Sequence, residues 1–267
     1  MKGRPTPERK VCVEMKTSLN KKMAAAGALL LLLLALATLP VQAEGNPNDS
    51  YTGTTRTITH PVMPDREWTI LFSGQLQPDQ PYHESIYVRN EAGKKMEIRL
   101  EISGNRLTVI PAAYYEPDSS YYLYIGSDIA SVDGRPVGEA RRFMFTTAPH
   151  SLEGRRMEEQ AKIPTRKVWR VSFSQPVREE SLKPESIYVT DERGKVIPTR
   201  LSLAEDLPPH EQNRVVKVEP VERYNYETLY YLFVRNVLSR EGEALEQPVW
   251  MKFTTGEEYR FEILKEF

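Results

Sequence analysis

The feature that most limits what this chain can fold into is that it repeats itself. The stretch "WTILFS" beginning at Trp68 returns as "WRVSFS" at Trp169. Laid over one another at an offset of 101, residues 68–100 and 169–201 agree at 13 of 33 positions. Random pairing at ordinary composition gives roughly two. The agreement then continues at shifted offsets. "RLTVIP" (106–111) answers "VVKVEP" (215–220), "YYLYI" (121–125) answers "YYLFV" (230–234), and "FTT" recurs at 145 and 253. The second copy carries an eight-residue excess near "LAEDLPPHEQ", a hairpin tip where added length costs little. Two copies of one sequence must fold as two copies of one structure. They span 61–149 and 160–256 of the 267 residues.

The period of the apolar residues says what the unit is. Trp68, Ile70 and Phe72 alternate with Thr69 and Leu71, and Trp169, Val171 and Phe173 do the same in the second copy. Ile86 with Val88, Met96 through Ile102, Leu107 with Val109, and Tyr121 through Ile125 follow the same rule. A period of two means half-buried strands with one face turned inward. Turn-forming stretches such as "NEAGK", "SGN", "EPDSS" and "VDGRP" separate them. Six or seven short strands per unit predict an all-β chain of two tandem antiparallel sandwiches. Trp68, Phe72, Trp169 and Phe173 are predicted as structural core. The one helix candidate, "LEGRRMEEQAK" (152–162), lacks an apolar stripe, so residues 150–159 read as a solvated linker with at most a helical turn.

These landmarks, W-x-[IV]-x-F-S, then S-I-Y-V, then an acid with G-K, then Y-Y-L and F-T-T, occur in order and twice. In this the chain resembles the bacterial Ig-like domain of the SbsA type found in S-layer proteins. The likeness covers most of 61–149 and 160–256. It departs in the late loop, where an Asp-x-x-Gly-Asn turn is replaced by "SVDGRPV" and "SREGEAL". The resemblance implies extracellular modules that space, tether or display. It implies no catalytic residues, and none are carried over.

The N-terminus reads differently. Lys16, Lys21 and Lys22 precede the apolar run "MAAAGALLLLLLALATLP", and "VQA" follows with Val41 and Ala43 as small residues. This is the pattern of a secretory signal, with residues 1–43 removed after Ala43. An uncleaved anchor is the alternative, since Met23 to Val41 is 19 residues. The basic segment ahead of the run is long for a signal, and Met15 and Met23 are alternative starts. Residues 44–60 then form a polar N-terminal segment. Without residues 1–43 the chain keeps 29 basic and 35 acidic side chains. That balance leaves no basic stripe for nucleic acid. Cys12, the lone cysteine, leaves with the signal, so the secreted chain is expected to have no disulfide and no thiol chemistry.

Candidate chemistry is sparse. His60, His83, His150 and His210 are scattered, with no helix-spaced pair. Asp128 and Asp133 share a loop that could offer oxygen ligands to Ca²⁺, but the second copy has Asn236 and Glu241 there, and loop aspartates ordinarily serve turns. No nucleophile motif is present. The expectation is a non-enzymatic protein with no cofactor and no metal. The fourteen tyrosines are the tempting feature. Tyr121 and Tyr230 lie in phase with the inward residues and are expected to tie a corner of each sandwich through their hydroxyls. Tyr122, Tyr124, Tyr231 and Phe233 lie in the opposite phase, and if exposed would form a face for a protein or cell-wall glycan partner. The tail 257–267 alternates Tyr259, Phe261 and Ile263, the pattern of an added edge strand. The chain is therefore expected to be a secreted or envelope interaction and spacer module, with carbohydrate binding as the alternative.

Overall fold

Period-two sequence becomes strand throughout. A computed structural model describes residues 11–13, 51, 53–136 and 139–256. The apolar run of the expected signal, residues 44–50 and the tail 257–267 lie outside the described residues. In the first unit, strands β2 (Thr54–Thr57), β3 (Trp68–Leu71), β4 (Ile86–Asn90), β5 (Ile98–Ser103), β6 (Arg106–Pro111), β7 (Ser120–Ile125) and β8 (Arg141–Thr146) form two sheets, ordered β3-β6-β5 and β2-β8-β7-β4. The second unit uses β9 (Arg155–Arg156), β10 (Gln160–Ile163), β11 (Trp169–Phe173), β12 (Ile187–Asp191), β13 (Val196–Ile197), β14 (Thr199–Leu203), β15 (Val215–Pro220), β16 (Leu229–Val234) and β17 (Val249–Thr255). Its sheets run β11-β15-β14 and β10-β17-β16-β12-β13, with β9 also on β17. A further strand, β1 (Val11–Val13), lies parallel on the outer edge of β11. These residues fall inside the segment a signal peptidase would remove, so cleavage and this pairing are alternatives for one stretch of chain.

The sequence offsets map one unit onto the other, and the side chains meet the same neighbours. Trp68 lies 4.8 Å from Phe145 and Trp169 lies 4.8 Å from Phe253, ring centre to ring centre. Two separate cores result, one around Val88, Leu107, Val109 and Phe145, the other around Val171, Val189, Val218 and Phe253. Each is closed at one end by an inward tyrosine. The Glu116 amide donates to the Tyr121 hydroxyl at 2.8 Å, and the Asn225 amide donates to that of Tyr230 at 2.8 Å. These bonds satisfy a buried phenol and pin a loop in one stroke. Of the four predicted core residues, Phe72, Trp169 and Phe173 are buried, while Trp68 is only half-buried against its core.

The segment 152–162 is extended rather than helical. It runs along the edge of β17, which has backbone groups to satisfy on that side. The Arg155 amide donates to the Pro248 carbonyl and the Met157 amide to that of Trp250. Gly154, with φ of 94°, makes the approach possible, because a Cβ there would stand 2.1 Å from the Pro248 oxygen. Leu152 is buried, and Met157 packs on the second core. The expected solvated linker is thus strand and interface.

Candidate functional site: two equivalent sheet faces

In each unit one sheet turns an outer face away from the core, built from alternate residues of the strands either side of its centre. In the second unit the face carries Tyr188 opposite Phe233, Phe233 opposite Trp250, and Tyr231 opposite Lys252. In the first unit the same register holds Tyr87 opposite Tyr124, Tyr124 opposite Arg142, and Tyr122 opposite Met144. The faces are copies in position, but they differ in surroundings.

The second unit's face is covered by the first unit. Met63, Ala148 and Leu152 pack on Tyr188, Tyr231, Phe233 and Trp250 in a third, smaller cluster between the two cores. Tyr231, Phe233 and Trp250 are 2%, 0% and 1% exposed. The expected exposed face therefore fails for Tyr231 and Phe233, because burying these large rings between the units removes more apolar surface than either unit could alone. Polar groups lock the contact. Asp65 is buried, and its carboxylate accepts from the Tyr231 hydroxyl at 2.8 Å while meeting Lys252 Nζ at 2.6 Å. Burial, followed by the Asp65 charge and the bond to it, pushes the Tyr231 phenol well above its ordinary value. The Trp250 indole N–H donates to the Leu152 carbonyl at 2.9 Å. Arg235 donates to the Ser151 carbonyl. His150 lies between Tyr188 and Phe233, with Nε2 2.8 Å from the Gly194 carbonyl. Gly194 has φ of 75°, and a Cβ there would stand 2.3 Å from that of Ala148.

The first unit's face is more open. Tyr87 and Tyr124 stack at 4.7 Å, and Tyr122 is half-buried beside them. The expected exposure fails for Tyr124 as well, which is 5% exposed, covered partly by Tyr51, whose ring meets it edge-on at 5.5 Å. Cations interleave the rings. The Arg142 guanidinium lies 5.1 Å from the Tyr122 ring and 5.0 Å from Tyr51, Arg89 lies 5.2 Å from Tyr87, and Lys95 lies 4.9 Å from Tyr87. The surface interleaves aromatic rings, set at varied angles, with cations over their faces.

The other candidate residues are not brought together. Asp128 accepts from the Ser85 hydroxyl and Asp133 lies in an exposed turn. Asn236 lies in the matching loop of the second unit with a left-handed φ of 50°, and Glu241 is exposed there. His60, His83 and His210 are exposed, His83 in the short helix Tyr82–Ser85 and His210 in the 3-10 turn Pro209–Glu211. Among the described residues no three His, Cys, Asp or Glu side chains gather as a metal group. Sequence reasoning passed over Asp65, Lys252, Trp250 and Gly194. For Asp65, Lys252 and Trp250 the signal was available in the alignment of the copies, whereas Gly194 matches Gly93 and gave none. Where the second copy has Lys252 and Trp250, the first has Met144 and Arg142, and where the first has Asp65 the second has Arg166. Equivalent positions that change charge mark a surface used in one copy only.

The fold thus defines two Ig-like β-sandwiches in tandem, and sequence comparison agrees for the first of them. Residues 44–147 match the bacterial Ig-like domain family. No curated protein matches the chain. Among solved structures, the N-terminal part of the bacterial S-layer protein SbsC is similar at 10% identity and a TM-score of 0.28, over 72% of this chain and 42% of that one. The alpha-2-macroglobulin of E. coli is similar at 16% identity and a TM-score of 0.32, over 73% of this chain and 13% of that one. The chain spans less than half the length of either, and overlaps this loose carry no further argument.

Proposed function

We propose that the protein is a non-enzymatic module of the cell envelope that spaces and displays, holding two Ig-like units in one fixed relation and offering the first unit's tyrosine face to a partner. The observation that carries this reading is the asymmetry of two equivalent faces. One is consumed in fixing the units together through Tyr231, Phe233, Trp250, Asp65 and Lys252. Its counterpart on the first unit, with Tyr87 and Tyr122 half-buried, takes no part in that junction. Export is tested by sequencing the N-terminus of the protein recovered from the envelope fraction. A start at Glu44 supports the reading, and retention of residues 11–13 on a cytoplasmic product refutes it.

A second reading, carbohydrate binding, is favoured by the half-buried rings of Tyr87 and Tyr122 with the Arg89 guanidinium beside Tyr87. Sugar rings stack on such faces, and guanidinium groups take acidic substituents. Pull-down on cell-wall glycan separates the two readings. Binding that is lost in Tyr122→Ala promotes the glycan reading. Retention of a protein partner, with no glycan bound, leaves the first.

A further inference from the structure

The two units also differ at one sheet edge. In the unprocessed chain, which keeps residues 1–43, the outer edge of β11 is occupied, with Val11 opposite Val171, Cys12 opposite Ser172 and Val13 opposite Phe173 in parallel register. In the first unit the corresponding edge belongs to β3, which among the described residues pairs with β6 alone. The Phe72 amide donates to the Asn105 carbonyl. Antiparallel alternation therefore commits the backbone groups of Trp68, Ile70 and Phe72 to β6 and turns those of Thr69 and Leu71 outward along the open edge.

A groove of about 500 Å³ opens along this edge, between β3 and β8. Its walls are apolar, chiefly Ile58, Trp68, Ile70, Leu123, Ile125 and Phe143. Trp68 is half-buried here, whereas its counterpart Trp169, on the occupied edge, is 2% exposed. Leu71 stands 65% exposed beside the groove. Edges left in this state recruit strands, and proteins usually blunt them with lysine, proline or a bulge. β3 reads Trp-Thr-Ile-Leu and has none of these.

We propose that the first unit is a strand acceptor. The edge of β3 that is unpaired among the described residues takes an extended peptide segment of β-branched, apolar character, running parallel to β3 as Val11–Val13 runs along β11. The occupant's chemistry is read from the sister edge, where a Val-Cys-Val stretch pairs in that direction. Four residues of strand span roughly 13 Å, so a segment of four or five residues matches the edge. Its amides and carbonyls bond the outward groups of Thr69 and Leu71, and its alternate residues enter the groove over Ile70 and Phe143. Main-chain pairing supplies affinity and the apolar groove supplies preference for sequence. This acceptor is independent of the tyrosine face, which lies on the other side of the β7–β8 sheet.

The test uses the unprocessed chain, in which Val11–Val13 still fill the edge of β11, and a synthetic peptide of residues 8–16 carrying serine in place of Cys12. Amide hydrogen exchange read by NMR reports each strand separately. The expected result is saturable binding, with protection of the Thr69 and Leu71 amides rising at least ten-fold and no change in the Arg170 and Ser172 amides of β11. Thr69→Pro removes an outward N–H without touching the bonds to β6, and it is expected to abolish binding while leaving the fold signals intact. The Tyr122→Ala chain is expected to bind the peptide as the unaltered chain does. Absence of protection at millimolar peptide overturns the proposal, as does protection confined to β11 or binding that survives Thr69→Pro. Protection of the same amides that rises with protein concentration alone would make a second copy the occupant and overturn the assignment to a separate peptide.

Discussion

Removing the Asp65 carboxylate tests whether the two units are fixed to one another by chemistry or merely rest in contact. Asp65 and Lys252 have side chains 6% and 17% exposed, and Asp65 also receives the Tyr231 hydroxyl. Asp65→Ala leaves an ammonium and a phenol facing a site with no acceptor. Breaking a buried pair from one side costs roughly 3–5 kcal/mol, and the partial exposure of Lys252 brings the expectation to about 2–4 kcal/mol. With a urea slope of about 2 kcal/mol/M, that lowers the unfolding midpoint by roughly 1–2 M. Lys252→Met, which installs the residue found at the equivalent Met144, should cost a similar amount. Asp65→Leu combined with Lys252→Met should recover most of the loss, because an apolar pair of similar volume needs no charge compensation. The assay is urea unfolding followed by tryptophan fluorescence, completed as a double-mutant cycle. A loss under 0.5 kcal/mol for Asp65→Ala, or strict additivity of the two changes, would refute the locked interface.

Four further outcomes follow from the same coordinates. Trp169→Ala should cost about 3–5 kcal/mol, as for a buried aromatic, while Trp68→Ala, half-buried beside its groove, should cost about 1–3 kcal/mol; equal losses would show that the two edges are alike. Gly194→Ala should disrupt the inter-unit contact by driving a methyl into Ala148, seen as faster exchange of the Trp250 indole N–H. Tyr121→Phe and Tyr230→Phe should each cost about 1–2 kcal/mol by unpairing a backbone amide, measured by thermal melt. Burial raises the phenols of Tyr115, Tyr224 and Tyr231 above the ordinary value near 10. A raised folded value means stability is full below the unfolded value and falls as pH climbs past it. Urea midpoints should therefore be flat to about pH 9.5 and fall steeply above it, with tyrosinate absorbance appearing only on unfolding for these residues.

Much of the fold was legible because the chain states it twice, once in each unit. Alternation placed Trp169, Val171 and Phe173 inward, and the repeat showed that Trp68, Ile70 and Phe72 do likewise. Alternation fixes which side of a strand faces the core, since successive side chains must point oppositely. It is silent on what lies against the other side. For that reason Tyr231 and Phe233 read as a free face, although both are buried in the junction. The segment 152–162 misled for a related reason. Its charges describe the side in water, whereas its conformation is set by the open edge of β17.

Local sequence by itself determined that this chain makes two similar β-sandwiches, because strand periodicity and turn chemistry act within a few residues and need no knowledge of distant partners. Tertiary structure alone decided which of two equivalent tyrosine faces is buried and which of two equivalent edges is left open. Those outcomes depend on contacts such as Asp65 with Lys252 and β1 with β11, between residues more than a hundred positions apart. A pairing of that kind is set by where two surfaces meet in space.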